Sequence, residues 1–469
     1  MNYQSTRGEA PLLGFEDVLL AGLASDGGLY VPQSYPALGR EEIAALDGRP
    51  YQDVALAVMH PYVGAVPREQ DLRAIIAEAY AEFRHPTVTP LVQSGVNEWI
   101  LELHRGPTLA FKDIAMQVVA RLMDLALERR DRRATVVCAT SGDTGGAAVA
   151  AFAGRARTDL FVLMPKGRVS EVQRRMMTTS RAENIHALEI DGTFDDCQAL
   201  VKAMFNDRTF RERMALAGVN SINWARVMAQ AVYYFAAALA LGAPARAVSF
   251  TVPTGNFGDI LAGYVAKRMG LRIDRLVIAT NVNDILARTF AAGHHKTGAV
   301  THTSSPSMDI QVSSNFERLV FDLAGRDGAV VRRLMQGLGQ SGAYTLRKSW
   351  LDRLKRDFDA GSAGEAETLE TIRSVHRTTG MVIDPHTAVG VSVARRGSRG
   401  IAPMVVLATA HAAKFPDTVR RAIGVEPRLP DALGDLFERR ERMTPLANDV
   451  GTVKAAIADR VHVGAGACR

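Results

Sequence analysis

The chain has 469 residues, 47% of them hydrophobic and 23% charged, with a net charge of +6. That length buries a large core and exceeds one ordinary domain, so two or three lobes are expected, and the composition excludes a disordered or fibrous chain. The positive balance is mild and has no long basic block, which argues against nucleic acid and suits small anionic ligands.

Residues 1–95 read as a separate, mainly helical region. It holds a loop, ASDGGLYVPQSYP (24–36), and a helical segment, EQDLRAIIAEAYAEF (69–83). The opening MNYQSTRGEA is polar and does not read as a signal peptide, and no apolar run reaches membrane length. RRDRR (129–133) reads as the solvated end of a helix.

From about residue 100 short apolar runs alternate with helical periodicity. Strands are predicted at 134–139, 160–165, 185–190, 247–253, 276–281 and 404–410. Helices are predicted at 145–154, 170–179, 194–205, 224–241 and 258–270. Continuous apolar strands between helices indicate an α/β fold with parallel sheets covered on both faces. The polar stretch 296–315 predicts a long irregular loop of the kind that often carries function.

The three cysteines, Cys138, Cys197 and Cys468, show neither a disulfide framework nor metal-ligand spacing. A reducing, cytoplasmic setting is expected. The histidines also lack metal-site spacing, so no metal is expected.

Only nine of the 56 basic residues are lysine, and the first, Lys112, sits in LAFKDIAM among apolar neighbours. Loss of hydration there lowers an amine's pKa, and a neutral amine can form a Schiff base, which arginine cannot. The plainer alternative is a lysine snorkelling at a helix start, with Asp113 as a first-turn acid.

Four strand ends carry further chemistry. VPTGNFGDI (252–260) leads through a glycine-bracketed turn into a helix; the backbone N–H groups of Asn256, Phe257 and Gly258 would converge on an anion, and Gly255 and Gly258 would let it approach. ATSGDTGGAA (139–148) offers the hydroxyls of Thr140, Ser141 and Thr144 around Gly142, while Asp143 suits a cation better than a phosphate. MPKGRVS (164–170) presents Lys166 and Arg168, a pair fit for a phosphate or carboxylate. VLATAHAAKFP (406–416) ends a strand at Thr409, His411 and Lys414. Each also has a bland reading, as an ordinary turn, a helix cap or solvated loop charges. Two anion loops, an activated lysine and one sheet edge to present them point to an aldehyde cofactor with its own phosphate, pyridoxal phosphate (PLP).

Nearly end to end, these blocks resemble the threonine synthases, PLP enzymes of the tryptophan-synthase-β fold type. The matching stretches are YQSTRG (3–8), GLASDGGLYVP (22–32), GPTLAFKD (106–113), ATSGDTG (139–145), PKGRVS (165–170), NSINWARVMAQ (220–230), PTGNFG (253–258), SPSMDIQVSSNFERL (305–319) and TAHAAKFP (409–416). Ala412 stands where the family's HPAKFP has proline.

The resemblance implies conversion of O-phospho-L-homoserine and water to L-threonine and phosphate by γ-elimination and β-hydration. It implies that Lys112 holds PLP and moves protons, that Gly255, Asn256, Phe257 and Gly258 bind its phosphate, and that Thr409 lies near the pyridine nitrogen. Thr140, Ser141, Gly142, Asp143 and Thr144 would hold the substrate's carboxylate end. Lys166 and Arg168 are assigned to the substrate phosphate on charge and position.

The expected division is an N-terminal region at 1–95, a large PLP-binding domain at 96–133 and 242–425, a small α/β domain at 134–241 and a C-terminal extension at 426–469. Partners are limited to the small-molecule substrate, in a monomer or homodimer, with no membrane and no nucleic acid. The rival readings are another PLP-dependent phospho-amino-acid lyase or dehydratase, and a PLP-free phospholigand-binding protein.

Overall fold

The computed structural model describes residues 1–397 and 400–461, so Cys468 lies outside the described residues. Runs such as Thr158–Pro165 and Val248–Pro253 are buried at every position. This is what continuous apolar strands require, because neither face of such a strand can meet water. They are inner strands of two sheets.

The larger sheet has the order Phe358–Ser362, Ile273–Thr280, Val248–Pro253, Met404–Ala408, Glu98–Glu102, Leu91–Gly95. All its pairs are parallel except the last, a hairpin. The smaller sheet has the order Thr444–Leu446, Ile185–Ile190, Thr158–Pro165, Ala134–Ala139, Leu216–Ala217 and is parallel throughout. Helices follow the alternation read from the sequence: Asp143–Phe152, Glu171–Thr178, Phe194–Asn206, Trp224–Ala240 and Gly258–Arg268.

Five strands of these two sheets were not anticipated: Leu91–Gly95, Glu98–Glu102, Leu216–Ala217, Phe358–Ser362 and Thr444–Leu446. Leu91–Gly95 falls in the stretch read as helical, and Thr444–Leu446 brings the C-terminal extension onto the edge of the smaller sheet beside Ile185–Ile190. Both are short edge strands, whose pairing depends on the neighbouring strand rather than on their own pattern.

Trp224–Ala240 is apolar nearly all round, and such a helix must be enclosed. It packs against Tyr51–Val63, Lys112–Arg129 and Gly258–Arg268. The basic run after residue 128 ends the helix Lys112–Arg129, and Arg130 and Arg133 pair with Asp17 and Asp159 at 2.8 and 3.2 Å. Among the described residues no helix is long and apolar enough to cross a membrane.

The motif loops leave the carboxyl ends of four strands: 140–142 after Ala134–Ala139, 166–170 after Thr158–Pro165, 254–257 after Val248–Pro253, and 409–415 after Met404–Ala408. Ligands of open α/β sheets bind at such ends.

Candidate active site

Lys112 is the first residue of its helix. The segment before it is tightly bent: Leu109 has φ 60°, unusual for a branched side chain, and a Cβ on Gly106 would overlap Asp113. Backbone held this way collects at functional sites. Asp113 is not a solvated helix-start acid. It is fully buried, accepts from Thr108 N at 2.8 Å and from the Thr108 hydroxyl at 2.5 Å, and so fixes the bend.

The Lys112 side chain is only 14% exposed, and its Nζ lies 3.6 Å from Oδ2 of Asp143. Burial pushes the amine below the ordinary lysine value; Asp143 opposes the shift, while the positive charges of Lys414 and Arg226 add to it. A lysine poised this way can give up a proton and still donate an N–H to Asp143 as a neutral amine.

Asp143 also meets Lys414, whose Nζ is 2.5 Å from Oδ1 and donates to the Thr108 carbonyl at 2.9 Å. Gln173 Nε2 donates to the same Oδ1 at 2.8 Å. Burial disfavours a charged Asp143, but Lys414 and Lys112 outweigh it and hold this carboxyl well below its usual range. The cation that Asp143 was expected to meet is thus a lysine pair of the chain itself.

Within the 140–144 loop, the Thr140 hydroxyl accepts from the N–H groups of Gly142 and Gly145 at 3.0 and 2.9 Å, so it braces the loop. Gly142 has φ 144°, and a Cβ there would overlap the Gln173 amide. Ser141 is exposed and Thr144 half-buried.

The turn after Val248–Pro253 has the expected form, with one difference. The left-handed residue is Phe257, at φ 62°, not a glycine. Its fully buried ring is held among Phe290, Phe316 and Phe358, with centroids 6.4, 5.3 and 6.2 Å away. Packing stabilises a conformation that sterics alone disfavour. Gly255 serves close approach instead: a Cβ there would sit 3.0 Å from the Ser307 carbonyl.

Beyond the turn, Asp259 is buried and bonded to the Thr254 hydroxyl. Burial pushes its pKa up to about 6 against the pull of these bonds and of Lys112.

Ser307 joins the parts. Its hydroxyl donates to Asp143 Oδ2 at 3.4 Å, its carbonyl closes over Gly255, and its N–H donates to His386 Nε2 at 3.2 Å. His386 Nδ1 in turn lies 2.7 Å from Asp384 Oδ2. The long loop around 301–315 therefore walls the site. Thr409 is buried, and its carbonyl accepts from Phe111 N at 2.9 Å, which ties that strand end to the lysine's helix.

Lys166 and Arg168 are exposed. Arg168 acts on Asp196, at the head of the helix that follows the neighbouring strand Ile185–Ile190. Arg226, by contrast, is buried inside the site region. Burial lowers its pKa to about 10, it acts on Lys112 and Asp259, and its Nε has no hydrogen-bond partner.

Lys414, Ser307, His386 and Arg226 received no role from the sequence. The scarcity of lysine that singles out Lys112 was also available for Lys414; Arg226 and Ser307 lie within the family-like stretches 220–230 and 305–319, and His386 carries no local signal.

The residues present suit PLP: a desolvated amine, a helix N-terminus opened by a turn whose Gly255 a side chain would fill, and a strand-end hydroxyl at Thr409. Among the described residues no group of three or more His, Cys, Asp and Glu could hold a metal ion.

The chain matches the family models described as threonine synthase N terminus over residues 2–80, pyridoxal-phosphate dependent enzyme over 83–410, and threonine synthase, C-terminal over 387–457. It is 51% identical to the threonine synthase of Pseudomonas aeruginosa, over 99% of each chain. The structure superposes on a PLP-bound threonine synthase from Brucella melitensis with a TM-score of 0.97 and 59% identity, covering 99% of this chain and 100% of the other. It superposes on the yeast enzyme with a TM-score of 0.93 and 39% identity, covering 98% of each.

Proposed function

The chain belongs to the threonine synthase family of PLP-dependent lyases, and from that premise we propose that its substrate is O-phospho-L-homoserine, converted with water to L-threonine and phosphate. The observation that carries the reading is the buried Lys112 amine beside Asp143, joined through Ser307 to the 255–258 turn.

Bound PLP supplies an aldehyde that takes up an amino group and a ring that withdraws electrons from the adjoining carbon. The chain's residues hold and steer that chemistry. Lys112 carries the cofactor and afterwards moves protons; its lowered pKa lets it give and take them near neutrality. Asp143, fixed by Lys414 and Gln173, orients the lysine and moderates the shift. Gly255, Asn256, Phe257 and Gly258 take the cofactor phosphate at the helix N-terminus, where free N–H groups and the helix dipole favour an anion. The Thr409 hydroxyl would serve the pyridine nitrogen as a neutral partner. Thr140, Ser141, Gly142 and Thr144 form the loop for the substrate carboxylate, with Asp143 as its charged anchor to the lysines.

For the substrate phosphate we assign the exposed Lys166 and Arg168 to approach, and the buried Arg226, with its free Nε, to final contact. We also assign the division into lobes read from the sequence, with Leu91–Gly95 moved to the large lobe and Thr444–Leu446 added to the small one, and a cytoplasmic setting suited to the buried free thiols of Cys138 and Cys197.

The test is turnover. Purified protein with PLP should release phosphate and threonine together from O-phospho-L-homoserine and leave serine and threonine intact. Dehydration of those amino acids without phosphate release would favour the dehydratase reading.

A further inference from the structure

A second cluster of basic side chains lies on the other side of the segment that leads to Lys112. A cavity of about 290 Å³ is lined by Arg84, His104, Arg105, Leu109 and His411, with Pro430, Asp431 and Ala432 at its edge. None of the residues assigned above to cofactor or substrate lines it.

Its charges are poorly matched. Arg84 donates to the Gly106 carbonyl and makes no ion pair among the described residues. Arg105 is held by Glu102, with Nε to Oε2 at 2.8 Å. The His104 and His411 rings stand edge to face with centroids 5.2 Å apart, and His104 Nδ1 is buried without a hydrogen-bond partner. His411 Nδ1 accepts from Ala413 N at 3.2 Å, which leaves its other nitrogen as the donor. The single carboxylate lining the space, Asp431, is exposed.

Burial first, then the neighbouring positive groups, depress both imidazoles, His104 well below its ordinary value and His411 to about 4. Two guanidinium groups, Arg105 paired with Glu102 and Arg84 within the field of the buried Asp113 but in no ion pair among the described residues, and two neutral imidazoles form a donor set for an anion.

We propose that this cavity is a second anion site, taking a tetrahedral oxyanion of the phosphate class, as free phosphate or as a phosphate monoester, between Arg84, Arg105, His104 and His411. The site shares a wall with the catalytic lysine. The Gly106 carbonyl faces Arg84 on one side, while two residues on, the Thr108 carbonyl holds Lys414 on the other. His411 N also bonds to the Leu109 carbonyl at 3.1 Å. An anion bound here bears on the segment that positions Lys112.

The test is histidine C2 hydrogen–deuterium exchange of the PLP-loaded enzyme, resolved by peptide mass spectrometry, with inorganic phosphate titrated against chloride at equal ionic strength. Phosphate should slow or speed exchange at His104 and His411 saturably and leave the exposed His294 unchanged. Arg84→Gln should shift the midpoint to about tenfold higher phosphate, the loss of one charge-assisted contact. Asp431→Asn, a surface change that spares the fold, should tighten binding severalfold.

Methyl phosphate in a parallel titration separates the sources: a response to inorganic phosphate alone assigns the site to the free ion, a response to the monoester alone to phosphorylated ligands. Exchange that ignores both anions overturns the site. So does a midpoint unchanged in both variants, because phosphate would then be acting from the catalytic site.

Discussion

Lys112 and Lys414 share one carboxylate: Asp143 faces the first across 3.6 Å through Oδ2 and the second across 2.5 Å through Oδ1. Two amines on one buried acid differ in what else they touch. Lys414 is also committed to the Thr108 carbonyl, while Lys112 keeps its remaining positions free for chemistry.

Lys112→Ala therefore removes the covalent hold on the cofactor and the proton carrier together. Turnover should fall by at least about a hundredfold, the lower end of what one general acid–base group contributes. PLP should still bind, through the 255–258 turn, without the borohydride-reducible link. Retained linkage and activity would refute the role.

Asp143→Asn leaves two buried amines facing no charge. Removing one partner of a buried pair costs about 3–5 kcal/mol, to be read from urea unfolding at neutral pH. The wild-type carboxyl sits below its reference value of 3.8, so its contribution is present above that pH and is lost as pH falls through the folded-state value. The gap between the two proteins should hold from pH 8 to 5 and narrow in stronger acid. A gap that grows as pH falls would contradict the ion-pair assignment.

Asp259 carries the opposite sign. Its pKa is raised from 3.8 to about 6 by burial, so its ionisation opposes folding as pH rises through that window. Asp259→Asn, which can still accept from Thr254, should gain stability relative to wild type between pH 4 and 7. The gain should reach about 3 kcal/mol, at 1.36 kcal/mol per unit. Parallel urea midpoints across pH would show that the carboxyl is not desolvated.

The two glycines of the turn should differ. Gly255→Val must displace the Ser307 carbonyl, 3.0 Å from its Cβ position, whereas a Cβ at Gly258 meets only the Asn315 side-chain amide at 3.3 Å. PLP affinity should fall by at least about tenfold in Gly255→Val, a loss near 1.4 kcal/mol, and less in Gly258→Ala. Equal affinities in cofactor titration would move the phosphate site elsewhere.

Arg226→Gln should raise the KM for O-phospho-L-homoserine by about ten- to a hundredfold, the cost of one charge-assisted contact. Lys166→Ala and Arg168→Ala should mainly lower kcat/KM in a salt-dependent way, as steering charges do. The reverse pattern would return the phosphate contact to the exposed pair.

What the sequence made legible follows from how local each signal is. The inner strands and the helices after them could be read because burial on both faces writes a continuous apolar run. The 255–258 turn was readable as an anion loop, but its left-handed residue was not, since Phe257 holds that conformation through rings more than thirty residues away. Ser307 and His386 enter the site from 52 and 131 residues beyond Gly255, and Arg226 from between Asp143 and Gly255, where only the folded chain brings them together. The exposed Lys166 and Arg168 look the same in sequence as buried cations would, because charge alone does not report depth.

The central claim is that Lys112, and not its neighbour Lys414, holds the cofactor. Reduction of the PLP-loaded enzyme with borohydride, followed by peptide mass spectrometry, decides it. The account predicts one pyridoxyl group on the peptide containing Lys112 and none on the peptide containing Lys414. A pyridoxyl group on Lys414, or an unmodified Lys112 peptide after borohydride treatment has abolished the activity of PLP-loaded enzyme, would contradict it.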